Sequence, residues 1–346
     1  MTNLVPFGGQ VSATKAAGTF SLLDAPTGIA PTTPADRELV RGKTEWGVYA
    51  LAKGTTNWAL SGKYVISDRS TAVLSVLNPT KTQPALVISV SDCDFYGLRT
   101  LWAFRVYDLT ASVVQRVTIS HIGDWAHALG LEPGAQVEGH AFYANLAGSL
   151  TIEDFLAREC CGQALQLVNR ASEGLPPAPA STVTISRTIA WNCALHPERG
   201  SYPISFFNPV DYLTMSATGV LSDGLAPWTD SNGVKRASCG GIFIGQAVKD
   251  PRVCKKAQLT GVYVRLNLAD RDAVQIDHCD DFEWAWGECS DIGGVPAKIS
   301  VDMDSCPKGS IRNLSGDYDV VAVAAGKRTV VSSSRLTSPV NFEWGV

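Results

Sequence analysis

Two aspartates follow matching apolar pairs late in the chain, and they offer the clearest acid–base chemistry in the sequence. Asp277 comes directly after Val274-Gln275-Ile276, and Asp302 directly after Ile299-Ser300-Val301. If these triplets are neighbouring β-strands, both carboxylates point to the same face, about 4.8 Å apart. Two carboxyl groups that close repel, so one pKa should rise. A glycosidase needs two carboxyl groups roughly 5–9.5 Å apart.

Two further acids, Glu288 and Asp291, lie in the same part of the sequence and are additional catalytic candidates. The alternative is that these acids only solvate the turns after strands. We expect this structural role for Asp277 and Asp302, because the residues next to them in sequence, His278 and Met303, offer no aromatic platform for a sugar. The histidines show no metal-ligand spacing, and we expect neither a metal nor a cofactor.

The segment 224–239 is a candidate carbohydrate-binding loop. It contains Trp228 together with the cations Lys235 and Arg236 between turn residues. Loops that leave a rigid scaffold often carry binding residues, and an exposed indole beside cations could hold a sugar ring. A plain contact between subunits is the equally simple alternative.

Cys160 and Cys193 each fall at the same distance after an apolar triplet, which predicts that they lie on adjacent coils of a repeat. Cysteines on adjacent coils lie close enough to form a disulfide within a subunit, and a disulfide between subunits is also conceivable in chemical terms. The alternative is a stack of two buried thiols that act as small hydrophobic side chains. The chain has nine cysteines, an odd number, so at least one thiol is unpaired unless it bonds to another chain.

The elements that would position these residues are short strands in two interleaved series. Each strand shows period-two alternation with β-branched residues and flanking turn residues. The first series is Val117-Thr118-Ile119, Leu150-Thr151-Ile152, Val183-Thr184-Ile185, Leu213-Thr214-Met215 and Leu259-Thr260-Gly261. The second is Leu165-Gln166-Leu167, Ile204-Ser205-Phe206, Ile242-Phe243-Ile244, Val274-Gln275-Ile276 and Ile299-Ser300-Val301. Recurrence of strands every 20–50 residues or so is typical of a solenoid.

The two series predict an all-β parallel β-helix in which each series forms one sheet. The first series continues in weaker form as Phe282-Glu283-Trp284 and Ile311-Arg312-Asn313. Its middle residues would then form one outward-facing column: Thr118, Thr151, Thr184, Thr214, Thr260, Glu283 and Arg312. In this column Glu283 and Arg312 would make a cross-strand ion pair. Each coil buries its apolar residues only against the coils beside it, so several coils share one core.

Composition divides the chain into four parts. Residues 1–45 are rich in Gly, Ala and Pro and predict an extended N-terminal arm. Residues 46–116 are predicted to form a cap and the first coils, and residues 117–324 the β-helix. Residues 325–346 are predicted to close the other end, because an open β-helix exposes a sheet edge.

The charge balance limits the partners. Net charge is −4 and no basic run is present, so we expect no nucleic acid partner. No apolar stretch is long enough to span a membrane, and the N-terminus does not resemble a secretion signal. Only 18% of residues are charged while 45% are hydrophobic, which favours an oligomer, and we expect a homotrimer.

The alternating strand triplets over roughly residues 85–330 resemble the pectin-lyase-like single-stranded right-handed parallel β-helix, as in bacteriophage tailspikes and related virion proteins. This resemblance implies a trimer whose N-terminal arm, residues 1–45, attaches to other virion proteins. It implies a structural protein of the virion, made in the host cytoplasm, that acts in particle assembly or binds host surface polysaccharide. Two alternatives stay open: a tailspike depolymerase that hydrolyses such a polysaccharide, and a bacterial carbohydrate-binding adhesin.

Overall fold

The protein is described by a computed structural model over residues 36–42, 48–52, 54–68, 72–76, 85–98, 100–123, 139–160, 162–169, 181–194, 202–207, 210–222, 228–229, 235–236, 240–245, 254–266, 272–291, 294–335 and 340–345. These residues form β-strands and contain no helix. The strands are β1 (Glu38–Gly42), β2 (Tyr49–Leu51), β3 (Asn57–Ser61), β4 (Lys63–Asp68), β5 (Ala72–Val76), β6 (Val87–Leu98), β7 (Trp102–Leu109), β8 (Ser112–Ser120), β9 (His140–Leu146), β10 (Ser149–Arg158), β11 (Leu165–Asn169), β12 (Thr182–Ser186), β13 (Ile189–Trp191), β14 (Ile204–Phe207), β15 (Tyr212–Ser216), β16 (Gly219–Leu221), β17 (Trp228–Thr229), β18 (Lys235–Arg236), β19 (Ile242–Gly245), β20 (Lys256–Thr260), β21 (Tyr263–Leu266), β22 (Val274–Ile276), β23 (Asp281–Ala285), β24 (Glu288–Asp291), β25 (Ala297–Asp302), β26 (Lys308–Leu314), β27 (Tyr318–Ala324), β28 (Lys327–Ser333) and β29 (Val340–Trp344).

The strands build two large sheets and one small one. Sheet 1 has 16 strands, and its main order is β1-β4-β6-β8-β10-β12-β15-β20-β23-β26-β29, with a side branch β10-β13-β16-β21-β24 and with β3 on β6. Sheet 2 has 11 strands in the order β2-β5-β7-β9-β11-β14-β19-β22-β25-β27-β28. Within both sheets the pairing is parallel except at the last step, where β29 and β28 are antiparallel. The all-β class predicted from the sequence is therefore correct.

The second series of triplets has the predicted register in sheet 2. One column of core side chains contains Leu165, Ile204, Ile242, Val274 and Ile299. The column two residues further along contains Leu167, Phe206, Ile244, Ile276 and Val301. All of these side chains are fully buried, so the residues between them must point outward.

In sheet 1 the prediction is correct for the sheet but wrong in part for the register. Leu150, Val183 and Leu213 form one column as predicted, and it continues with Ala257 and Phe282. The triplet 259–261 is therefore two residues out of register. Val117-Thr118-Ile119 pairs with Phe155–Ala157 and not with Leu150–Ile152.

The error at 117–119 has a physical reason: β8 and β10 are long strands that each carry two apolar triplets. The outward column of sheet 1 accordingly keeps Thr151, Thr184, Thr214 and Glu283 but lacks Thr118, Thr260 and Arg312. The predicted ion pair is also absent among the described contacts of Glu283, which accepts a hydrogen bond from Gln258 (3.1 Å). Arg312 instead pairs with Glu343 (2.8 Å).

Sheet 1 is divided into two arms by a column of residues with left-handed backbone, which we call the corner column. The first arm contains β12, β15, β20, β23 and β26, and the second contains β13, β16, β21 and β24. The column has φ between 46° and 60° and consists of Asp92, Arg116, Asp154, Arg187, Ala217, Gly261, Trp286 and Asn313. Positive φ is uncommon for non-glycine residues. Its recurrence at one position turns the chain in the same way on each successive level.

Charges stabilise the first half of the corner column. Arg116 makes a two-point contact with Asp92 (2.6 and 2.8 Å), and Arg187 makes one with Asp154 (2.7 and 3.1 Å). These guanidinium groups hold the pKa of Asp92 and of Asp154 below the ordinary carboxyl value. Since both pairs are largely exposed to solvent, their contribution to the free energy of unfolding is small.

One continuous cluster of buried apolar side chains lies between the two sheets. It joins residues of both, as in the edge contact between Phe95 of β6 and Phe104 of β7, whose ring centroids are 5.0 Å apart. Trp284 and Tyr318 are the largest fully buried side chains of the described part of the chain. The solenoid prediction of a shared core is therefore consistent with the packing.

The described residues include part of the predicted N-terminal arm and most of the predicted C-terminal cap. β1 falls inside the segment predicted as the N-terminal arm, and it pairs in parallel with β4. Residues 1–35 lie outside the described residues, so the arm stays a prediction. At the other end, β28 and β29 lie in the predicted cap 325–346 and end sheets 2 and 1.

Replacement of one stacked core residue should be far more costly than replacement of its outward neighbour. Ile185→Ala removes a fully buried side chain between Ile152 and Met215 and should lower the free energy of unfolding by about 2–5 kcal/mol. The matched control Thr184→Ala should lower it by less than about 1 kcal/mol. Equilibrium urea unfolding measures both, and equal losses would contradict the inward and outward assignment.

The corner column predicts a stabilising glycine. Ala217 has φ of 46°, and its neighbour in the column is Gly261 with φ of 60°. Ala217→Gly should remove the steric cost of the left-handed backbone and raise the free energy of unfolding by about 0.5–1 kcal/mol. The control Ala257→Gly, at a buried position inside β20, should lower it. A loss of stability in the Ala217→Gly variant would show that the corner imposes no strain.

Candidate functional site

The candidate site is the outer face of sheet 2 where β22 and β25 end. These strands pair up to Ile276 and Val301, so the next residues, Asp277 and Asp302, are neighbours on the outer face, as predicted. Burial raises the pKa of Asp277 above its ordinary value, and the charge of Asp302 raises it further. A hydrogen bond from Gln275 partly opposes both effects. Like-charge repulsion thus acts in the predicted direction but is weaker than desolvation.

The side chain of Asp302 forms hydrogen bonds within the turn that follows β25. Its Oδ1 accepts the backbone N–H of Asp304 (3.1 Å), and its Oδ2 accepts the hydroxyl of Ser305 (2.7 Å). An aspartate that bonds the backbone two residues on is a common turn-forming arrangement. Both carboxylate oxygens therefore have structural partners.

Asp277 ends a short chain of polar side chains on the same face. Gln275 Nε2 donates to Asp277 Oδ2 (2.9 Å), and Gln275 Oε1 accepts the hydroxyl of Tyr202 (2.8 Å). The amide of Gln275 thus fixes the orientation of both neighbours. Asp277 is half-buried and already has a hydrogen-bond donor, which suits it to holding a polar group in place.

Aromatic rings lie beside this carboxylate although none is near it in sequence. The ring of Phe243 lies over Gly245, the residue next to Asp277 in the neighbouring strand, and contacts Phe207 (centroids 5.0 Å) and Tyr202 (5.5 Å). The residues next to Asp277 and Asp302 in sequence, His278 and Met303, gave no indication of these rings. The missed signal was the register of the second series, which places Phe243 and Gln275 in one outward row.

Glu288 and Asp291 do not join this site. Both belong to β24 in the second arm of sheet 1. Glu288 accepts three hydrogen bonds from Arg265, at 3.0, 3.2 and 3.4 Å, and Asp291 is buried. Their proximity to Asp277 in sequence does not become proximity in the fold, because the chain passes from sheet 2 to sheet 1 between them.

Trp228 and the two cations Lys235 and Arg236 are brought together in the backbone. β17 and β18 form a two-stranded antiparallel ladder in which Trp228 is opposite Arg236 and Thr229 is opposite Lys235. The side chains of these strands lie outside the described part of the structure. Their role as a carbohydrate site therefore stays a prediction.

Cys160 and Cys193 occupy equivalent positions on adjacent levels, two residues after the paired Arg158 and Trp191. Both side chains are fully buried, and no disulfide joins the two cysteines to each other. They donate to the carbonyls of Arg158 (3.5 Å) and Trp191 (3.4 Å), which fits the alternative of a buried thiol stack.

A second stack, of Cys254, Cys279 and Cys306, was not found from sequence. Cys254 pairs with Cys279 across adjacent levels, and the backbone N–H of Cys279 points to the sulfur of Cys306 (3.4 Å). Burial raises the pKa of Cys306 to about 12, so this thiol stays protonated and unreactive at neutral pH.

The described residues contain no group of three or more His, Cys, Asp or Glu side chains arranged to hold a metal ion. None of the segments covered by the structure forms a helix that could cross a membrane. No protein family, curated protein or solved structure matches this chain.

The arrangement supports binding better than acid–base catalysis. A glycosidase pair needs two carboxyl groups free to move a proton, but Asp302 is bonded on both oxygens and Asp277 is bonded to Gln275. Of the aromatic rings beside them, Phe207 is half-buried, whereas Phe243 and Tyr202 are buried.

Replacing Asp277 should change the pH dependence of stability. Its raised pKa means that the folded chain binds this proton more tightly than the unfolded chain. The free energy of unfolding therefore falls as pH rises from the ordinary value of 3.8 to the raised folded pKa. Asp277→Asn should remove this fall, so the variant gains stability relative to wild type across that window.

Chemical denaturation at a series of pH values measures the effect. The control Asp302→Asn loses one acceptor of the turn and should be less stable than wild type by about 1 kcal/mol. A stability difference between Asp277→Asn and wild type that does not change with pH would contradict the assignment.

Proposed function

We propose that the chain winds as a right-handed parallel β-helix. The support is that strands of sheet 1 and sheet 2 alternate along the sequence, that neighbours pair in parallel, and that both sheets share one core. Parallel strands of one sheet are connected with right-handed crossovers in nearly all proteins, which gives the hand. A corner column at one position per level is the turn that such a winding requires.

We further propose that the protein is a structural component of a bacteriophage virion: a tail spike, fibre or decoration subunit. It would act in particle assembly or in binding of host surface polysaccharide, after synthesis in the host cytoplasm. The observation that supports a non-catalytic role is that both carboxylate oxygens of Asp302 accept hydrogen bonds from residues of a turn. The residues 1–45 would attach to other virion proteins.

The homotrimer is part of this proposal. The second arm of sheet 1 carries apolar side chains on its outward face, and they are only half-buried. They are Ile189, Trp191 and Leu221, and Leu156 of the adjoining strand β10 extends this row beside Ile189. Apolar patches rimmed by polar residues are typical of protein interfaces. Packing of three such faces around an axis would cover them.

One observation favours the depolymerase as second candidate. The raised pKa of Asp277 is the state that a general acid needs. The half-buried ring of Phe207, supported by the buried ring of Phe243, would then contact the sugar beside it.

Light scattering on the purified full chain tests the oligomer. We expect a mass about three times that of a single chain of 36.9 kDa at micromolar concentration. A single-chain mass under these conditions would count against the trimer, whatever the position in the particle.

Immunogold labelling tests the virion assignment. Antibodies raised against the purified protein should label phage particles released from cells that carry the gene. Label confined to cell surfaces or cell debris, with bare particles, would refute it and would favour the adhesin.

Cleavage assays with Asp277→Asn separate the structural protein from the depolymerase. If wild type cleaves host surface polysaccharide, the structural role of Asp277 predicts an unchanged rate in the variant. A loss of about a thousandfold, with the oligomer intact, would establish Asp277 as the general acid.

A further inference from the structure

A cluster of aromatic side chains around one arginine lies on the outer face of sheet 2, several strands away from Asp277. We call it the Arg105 cluster, and it contains Trp102, Arg105, Tyr107, His140 and Tyr143. Phe104 and Val106 on either side of Arg105 are fully buried in the core, so Arg105 points outward. Tyr143 of β9 pairs directly with Arg105 of β7 and points the same way.

The guanidinium of Arg105 is held in place by aromatic contacts. Its central carbon lies 4.4 Å from the centroid of the Trp102 ring, and Nε donates to the hydroxyl of Tyr107 (3.0 Å). Among the described residues no carboxylate lies within ion-pair distance of it. Arg105 is therefore a positioned, half-buried cation that has no anionic partner among the described residues.

The rings form a short row beside this cation. Tyr107 contacts the edge of Tyr143, with centroids 6.1 Å apart, and His140 lies 6.4 Å from Tyr143. Tyr107, His140 and Tyr143 are all half-buried. Rings that are partly open and that carry polar atoms can contact the apolar faces of sugar rings and also bond their hydroxyls.

Two amides next to the cluster lack hydrogen-bond partners. Asn145, on the outer side of β9, is fully buried, and neither its Oδ1 nor its Nδ2 has a partner. Gln166 pairs with Tyr143 from the next strand, and its buried Oε1 is also without a partner. A buried polar atom left without a hydrogen bond destabilises the fold, so these amides point to a ligand that supplies the missing bonds.

We propose that the Arg105 cluster binds an anionic saccharide. The carboxylate or phosphate of the sugar accepts two hydrogen bonds from the planar guanidinium of Arg105. The rings of Tyr107 and Tyr143 contact the sugar ring. The hydroxyl groups of the sugar form hydrogen bonds with the side-chain amides of Asn145 and Gln166. This inference rests on the proposed function, since it names the class of surface polysaccharide that the protein would recognise.

Isothermal titration with the full chain tests the site with three probes of equal length. They are short hyaluronan fragments for carboxylate, short phosphomannan fragments for phosphate, and maltodextrin fragments as the neutral sugar. We expect at least one anionic probe to bind about tenfold or more tightly than maltodextrin. Whichever anionic probe binds identifies the acidic group.

Arg105→Gln should weaken binding of the anionic probe by about tenfold or more, the loss expected for one charge-assisted contact. Arg105→Lys keeps the positive charge but loses the two-point hydrogen bonding of the guanidinium group. Its affinity for the anionic probe should lie between that of wild type and that of Arg105→Gln. The control Arg265→Gln removes an exposed, ion-paired arginine from the second arm of sheet 1 and should leave binding unchanged. Tyr143→Ala is the second variant in case Arg105→Gln does not fold, and it should weaken every sugar contact.

Equal affinity for the neutral probe, or an unchanged affinity in a folded Arg105→Gln variant, would overturn the inference. Failure of all three probes would also overturn it. The proposed function is judged separately by particle labelling and oligomer mass, so a virion trimer that binds none of the probes would lose only the anionic-saccharide site.

Discussion

The structure depends on in-register stacking of a bend. Each level of sheet 1 turns at a residue with left-handed backbone, and the next level turns at the residue paired with it. Parallel strands form hydrogen bonds evenly along their length, so a bend can be repeated only if every level bends at the same place. The corner column meets this condition with residues as different as Asp154, Ala217 and Trp286. The position requires a left-handed backbone conformation, which these residues share, and no particular side-chain chemistry.

Register then decides which side chains are available for function. Alternation sends every second residue of sheet 2 into the shared core and the others to the outer face. The outward row runs through Arg105, Tyr143, Gln166, Ser205, Phe243, Gln275 and Ser300. Polar and aromatic residues distant in sequence thus become neighbours at about 4.8 Å intervals, which is the geometry that a chain-like ligand would meet.

Much of that outer face is already occupied by the protein itself. Gln163 Nε2 donates to the carbonyl of Tyr202 (3.1 Å), and the hydroxyl of Ser205 donates to the same carbonyl (3.0 Å). Near the other end, Arg328 bonds both Ser300 (2.6 Å) and Asp272 (2.5 Å). Where such partners are present, as at Asp277 and Asp302, the polar groups stabilise the fold. Arg105, which has aromatic neighbours but no carboxylate partner among the described residues, and the unpartnered amide of Asn145 differ from this pattern.

The sequence by itself determined the strand class and the register of sheet 2, because both rest on local alternation. The triplets of Leu165 and Val274 show the same apolar spacing, and they lie in the predicted columns. Only the tertiary structure decided the register of sheet 1, since β8 and β10 each carry two apolar triplets and only pairing selects between them. The surroundings of Asp277 were equally inaccessible: Phe207, Phe243 and Tyr202 reach it from other levels. Contacts between levels join residues far apart in the chain, so a local pattern carries no information about them.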